Sequence, residues 1–112
     1  MTVITDRDVV DSVADALQFI SYYHPTDFVQ AVHRAYEMEQ SQAAKDALAQ
    51  ILINSRMCAM GKRPICQDTG IVTVFVDVGM EVRWETSKPL EELINEGVRL
   101  AYLHPDNKSG CR

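Results

Sequence analysis

The chain has 112 residues, of which 46% are hydrophobic, and this is enough for the core of one small domain. Its 16 acidic against 11 basic side chains give a formal net charge of -5, and no basic run offers a footprint for nucleic acid, which excludes that partner. The longest apolar run, Ile71 to Val78, is far shorter than the roughly 20 residues of a membrane-spanning helix, so no membrane span is expected.

The first predicted element is a helix from about Asp6 to Tyr22, because four apolar residues within it recur at helical spacing. Thr5, followed by Asp8 three residues later, fits the Asp-containing form of a capping box at its start. His24-Pro25 then breaks the chain. Thr26 is placed to cap a second helix after this break.

A third helix is predicted to open at Ser41 and to continue to about Met60 before Gly61 stops it. From Ile71 to Val78 the pattern changes, because valine occupies every second position and alternates with Ile, Thr, Phe and Asp. Alternation of this kind predicts a β-strand with one fully apolar face.

A second short strand through Val82 to Trp84, after a turn at Gly79, would complete a β-hairpin. A last helix is predicted from Leu90 to Ala101, capped at Ser87 and ended by His104-Pro105. The expected fold class is therefore α+β, with three helices, a hairpin and one further helix in a single domain.

The polar loop from Gly61 to Gly70 joins the third helix to the first strand and contains the chemically informative residues. Cys66, Gln67 and Asp68 offer a thiolate, an amide and a carboxylate, a set that suits a metal site with a polar substrate. The same letters also fit an ordinary turn, in which Asp68 bonds nearby backbone amides and Cys66 is a small apolar filler. One cysteine cannot hold a cluster or a zinc ion unaided.

The three cysteines, Cys58, Cys66 and Cys111, form neither an even disulfide set nor a CxxC pair. They are expected to be thiols, with Cys58 in the core. The first residues lack the charged and apolar regions of a secretory signal, which favours a cytoplasmic location.

Several segments of the chain together resemble the class I, iron-sulfur fumarate hydratase family, over nearly the whole chain up to about Asn107. These segments are Ser21 to Pro25, Asn54 to Ala59, Arg63 to Val76, Val78 to Met80 and Val82 to Trp84. The Cys-Gln-Asp-Thr-Gly core is shared with the related tartrate dehydratase alpha subunits, while the flanking residues favour fumarase.

The resemblance implies a [4Fe-4S] cluster held by three cysteines, with one iron open to the substrate. Cys66 matches the first of those ligands. Gln67 would contact a substrate carboxylate, and Asp68 would hydrogen-bond the reacting hydroxyl and assist proton transfer as a catalytic residue. The implied reaction is the reversible hydration of fumarate to malate, a small dicarboxylate pair, by a parent enzyme that is a homodimer.

The resemblance also implies that residues 1–112 are part of the amino-terminal (alpha) domain of a longer hydro-lyase. The remaining cluster ligands are absent from this sequence, and its ending after Asn107 departs from the family, as a truncated or frameshifted gene would. We therefore expect the isolated chain to be inactive. The alternatives are an alpha-subunit piece of a tartrate dehydratase, a non-catalytic helical interaction module, and a small zinc or redox protein, which the scattered Cys and His residues disfavour.

Overall fold

The computed structural model describes residues 1–66 and 70–103, which form four helices and two short strands. In chain order these elements are β1 (Thr2–Thr5), α1 (Asp6–Tyr22), α2 (Thr26–Met38), α3 (Gln42–Gly61), β2 (Val82–Glu85) and α4 (Leu90–Leu103). The α+β class and all four predicted helices are confirmed. The chain divides into two compact units, one containing residues 1–18 and 70–103 and the other residues 19–66.

The first unit contains a two-stranded parallel sheet that joins the start of the chain to β2. Thr2 lies opposite Val82, and Thr5 lies opposite Glu85. Nothing in the short segment before α1 alternates long enough to predict a strand, so β1 was missed. The pairing requires the whole intervening chain to return to its own start, which local sequence patterns do not report.

The core of the first unit lies between α1 and α4. Ala14 and Leu17 of α1 pack with Ala101 of α4, which is fully buried. Gly97 lies so close to α1 that a Cβ placed on it would be 2.7 Å from Val13 Cβ. A residue without a side chain is therefore needed at this helix crossing.

The predicted capping box of α1 is confirmed. The Thr5 backbone N–H donates to Asp8 Oδ2 at 2.8 Å, and the Asp8 backbone N–H donates to Thr5 Oγ1 at 3.3 Å. The predicted cap of α4 is wrong, because the helix begins at Leu90, three residues after Ser87, and the Ser87 hydroxyl donates to Asp6 instead. The first turn of α4 is closed by the Leu93 N–H, which donates to the Pro89 carbonyl.

The predicted β-hairpin is wrong in its pairing, although β2 and the turn at Gly79 are both present. Residues 71–78 belong to no strand, and no backbone hydrogen bond joins them to the other described residues. Their alternation nevertheless survives in part, since Val74, Val76 and Val78 line an apolar groove of about 300 Å³ and Phe75 is 93% exposed, although Asp77 lines the same groove. Alternation reports which face is covered and does not report whether a neighbouring backbone is present.

The second unit consists of the last residues of α1, from Phe19 onward, together with α2, α3 and the segment that follows α3. The predicted Thr26 cap is wrong: α2 begins at Thr26, its N-cap is Pro25, and no side chain caps it. Ser41 is confirmed as the N-cap of α3, since its hydroxyl accepts from the Ala44 N–H at 3.5 Å. The end of α3 differs by one residue, because the helix includes Gly61 and stops at Lys62.

No helix in residues 1–66 and 70–103 combines the length and the apolar content that a bilayer crossing requires. The predicted stop at His104-Pro105 lies outside the described residues.

Candidate functional site

Of the predicted site residues, only Cys66 lies in the described part of the chain. Its side chain is exposed, and it forms no disulfide with another described cysteine. Gln67 and Asp68 lie outside the described residues. The site is therefore built up from the segment that leads into Cys66.

The end of α3 turns the chain back toward its own helix. Lys62 has a positive φ of 49°, the left-handed conformation that commonly ends a helix. The backbone N–H groups of Lys62 and Arg63 both donate to the Cys58 carbonyl. Because these two bonds reverse the chain, residues 63–66 run back past the last turns of α3.

Three hydrogen bonds hold the two peptide units that precede Cys66. The Ile65 N–H donates to the Ser21 carbonyl at 2.9 Å, and the Cys58 thiol approaches the Pro64 carbonyl oxygen at 3.3 Å. Asn54 Nδ2 donates to the Ile65 carbonyl at 3.0 Å. The segment before Cys66 is thus attached to the end of α1 and to the second half of α3.

Sequence reasoning missed the part that Asn54 and Ser21 play, and it placed Cys58 in the core. Cys58 is indeed buried, with 5% of its surface exposed. The available signal was that the segment from Asn54 to Ala59 carries the family resemblance and had no role assigned to it. Hydrogen bonds to backbone carbonyls are invisible in a sequence, because any residue supplies the same acceptor.

A second polar contact stabilises the same unit. His24 Nδ1 lies 3.0 Å from Ser55 Oγ, and the His24 ring stacks on Phe28 with 4.6 Å between ring centroids. Ser55 is 8% exposed, so its hydroxyl is satisfied inside the unit. His24 therefore has partners within the second unit, and it lies just before the start of α2.

The described residues supply a suitable donor for a metal cluster and not a complete set. Within residues 1–66 and 70–103, no three His, Cys, Asp or Glu side chains converge as ligands of one ion would. Cys66 offers an exposed soft donor at the end of a held turn. It can serve as one ligand, and a cluster bound here needs further ligands from outside the described residues.

Comparison with known proteins identifies the class. The family described as fumarate hydratase (Fumerase) matches residues 10–108, which is most of the chain. A curated relative from Methanocaldococcus jannaschii, described as "Putative L(+)-tartrate dehydratase subunit alpha", is 31% identical over 93 residues. Both descriptions are of hydro-lyases, enzymes that add or remove water. The chain belongs to the fumarate hydratase (Fumerase) family.

The match covers 83% of this chain and 33% of the relative. The chain therefore spans about a third of the length of the curated relative that it matches.

Proposed function

We propose that the chain is the amino-terminal piece of an iron-sulfur hydro-lyase that reversibly hydrates fumarate to malate. The observation that carries the proposal is the family match over residues 10–108, which contains the held turn ending at Cys66. A family of hydro-lyases also favours an enzyme over a helical interaction module. The proposal keeps the expectations of a cytoplasmic protein and of a homodimeric parent.

In this proposal Cys66 is one of three thiolate ligands of a [4Fe-4S] cluster, and the other two come from polypeptide outside this chain. Such a cluster, when bound, supplies an iron that acts as a Lewis acid on an oxygen of the substrate. Gln67 donates its amide N–H to a substrate carboxylate, and Asp68 accepts a hydrogen bond from the reacting hydroxyl and assists proton transfer. Hydration splits one water molecule: its hydroxyl adds to one carbon of the double bond, and a proton is added to the neighbouring carbon by an acid–base group from polypeptide outside this chain.

The second candidate is the corresponding piece of a tartrate dehydratase alpha subunit. The similarity to the M. jannaschii protein favours it, since that relative carries the tartrate description. Both substrates are four-carbon dicarboxylates, so the same amide and carboxylate side chains suit either. The two candidates are distinguished by comparing kcat/KM for fumarate, malate and tartrate, measured on the protein encoded by the longest reading frame that contains this sequence.

The iron-sulfur proposal is tested by anaerobic reconstitution with iron and sulfide. The 112-residue chain is expected to bind iron substoichiometrically and to show negligible hydratase activity, because only one of its cysteines, Cys66, is a proposed ligand and the cluster needs three. The product of the longest reading frame is expected to bind a cluster and turn over. Cys66→Ser in that product should abolish both, and Cys111→Ser is the control at a cysteine that does not match a ligand position of the family. Unchanged iron content and turnover in Cys66→Ser would refute the proposal.

A further inference from the structure

The hydrogen bonds around Pro64 and Ile65 have a geometric consequence for Cys66. A peptide unit is planar, so the carbonyl of one residue and the N–H of the next move as one rigid body. The unit between Pro64 and Ile65 is held at both edges, with its oxygen near Cys58 Sγ and its N–H bonded to the Ser21 carbonyl. Its orientation is therefore determined by α3 on one side and by the end of α1 on the other.

The next peptide unit contains the Ile65 carbonyl together with the N–H and Cα of Cys66. Asn54 Nδ2 donates to this carbonyl at 3.0 Å. Asn54 Oδ1 lies 3.6 Å from Cys58 Sγ on the next turn of α3, so the Asn54 amide contacts the same thiol whose one hydrogen is closer to the Pro64 carbonyl oxygen. Asn54 lies inside the 20-residue helix α3 and not at its end, so the helix holds its backbone on both sides. A side chain on such a rigid element can hold a loop in one position.

We propose that Asn54 is a positioning residue. Its amide holds the Ile65–Cys66 peptide plane in one orientation and so fixes the position of the Cys66 Cα, from which the thiolate would reach a metal. This inference rests on the proposed function for its purpose, and its structural part can be tested without any metal. In this role Asn54 acts through the backbone of Ile65 and needs no contact with the substrate or the cluster. A ligand that must meet a cluster at a bonding distance gains from such pre-orientation, because less freedom is lost on binding.

The direct measurement is the mobility of the Cys66 amide in the 112-residue chain, by nitrogen-15 relaxation. In the unsubstituted chain its order parameter should be about 0.85, the value of rigid backbone, and in Asn54→Ala it should fall below about 0.6. Exchange of the Ile65 amide, which bonds to Ser21, should become about fivefold faster, as expected for the loss of one ordinary hydrogen bond. The matched control is Asn95→Ala, which removes an exposed asparagine from α4.

A purely structural role would move other observables. If Asn54 only stabilised the unit, amides inside α3 would exchange faster in step with Ile65, and the buried Cys58 thiol would become accessible to alkylation. We expect both to stay unchanged. Asn54→Asp keeps the shape and removes the donor, so it should reproduce the alanine result and decides the matter if Asn54→Ala does not fold. An unchanged Cys66 order parameter in the folded variant would overturn the proposal.

The functional part is measured in the product of the longest reading frame. Asn54→Ala is expected to lose iron to a chelator several-fold faster than Asn95→Ala, at an unchanged midpoint of thermal unfolding. Iron loss that is unchanged by Asn54→Ala would overturn the role in ligation. If the Cys66→Ser variant instead retained its iron, the proposed function would be refuted. The effect of Asn54 on the Cys66 amide, measured by relaxation, would still hold.

Discussion

Asp6 and Ser87 are hydrogen-bonded to each other across 81 positions of the chain. Ser87 donates its backbone N–H to Asp6 Oδ1 at 2.8 Å and its hydroxyl to Asp6 Oδ2. Asp6 is the first residue of α1, and Ser87 lies in the turn between β2 and α4. This pair therefore joins the two chain segments of the first unit just beyond the last strand pair, Thr5 and Glu85.

The Asp6–Ser87 pair predicts a dependence of stability on pH. The Ser87 hydroxyl, followed by its backbone N–H, holds the pKa of the Asp6 carboxyl below its ordinary value of 3.8. A lowered pKa stabilises the fold above that ordinary value, and the contribution is lost as the pH falls through the folded-state pKa. Ser87→Ala should therefore shrink the loss of stability between neutral pH and about pH 3, measured as the urea midpoint.

Asp8 adds to the same acid sensitivity, since the Thr5 hydroxyl and backbone N–H lower its pKa as well. Ser87→Ala should consequently reduce the pH slope without removing it. The control is Asp15→Asn, which neutralises an exposed carboxylate of α1. An acid slope as steep in Ser87→Ala as in the unsubstituted chain would contradict the prediction.

Gly97→Ala should destabilise the first unit, although alanine is the better helix former by about 1 kcal/mol. The added Cβ would lie 2.7 Å from Val13 Cβ and 2.8 Å from the Val10 carbonyl oxygen, so the two helices must separate. Overpacking of this kind costs about 1–3 kcal/mol. Urea denaturation provides the measurement.

The control for Gly97 is Gly61→Ala in α3. There an added Cβ would meet only the Arg63 side chain, at 3.6 Å, so this variant should be neutral or slightly more stable. Combining Gly97→Ala with Val13→Ala should recover little of the loss, because alanine at position 13 keeps the Cβ at 2.7 Å and the Val10 carbonyl oxygen stays at 2.8 Å. Full recovery in the double variant would show that only the γ-methyl groups of Val13 limit the helix crossing.

Ser55→Ala should destabilise the second unit by about 1 kcal/mol, because it removes the hydrogen-bond partner of His24. The two groups lie 3.0 Å apart, and Ser55 is buried. Ser12→Ala, which removes an exposed hydroxyl from α1, is the control and should have little effect. Equal urea midpoints for the two variants would mean that the His24 contact contributes nothing.

Phe75→Lys should raise the highest concentration at which the chain is still monomeric. Residues 71–78 present strand-like apolar alternation without a backbone partner among the described residues, and Ile71 and Phe75 are 94% and 93% exposed. Such an edge favours pairing between copies, and a charge at its centre opposes it. Met80→Lys adds the same charge at an exposed position outside the segment and should have a smaller effect in sedimentation.

Local chemistry in the sequence was sufficient for the helices, for the capping box of α1 and for the Ser41 cap, but it wrongly placed a cap at Thr26. The Thr5 and Asp8 capping box, the Ser41 cap and the four apolar stripes each depend on contacts within a few residues. The family resemblance similarly rested on short segments, and the match over residues 10–108 confirms it. The roles of Gln67 and Asp68 stay predictions, since both residues lie outside the described part of the chain.

Only the tertiary structure decided which groups meet across long separations. It paired β2 with β1 instead of with residues 71–78, and it gave Ser87 to Asp6 instead of to α4. It also placed Asn54 against the Ile65 carbonyl. Backbone donors and acceptors are identical at nearly every residue, so a sequence specifies that they must be satisfied and leaves the choice of partner to how the elements pack.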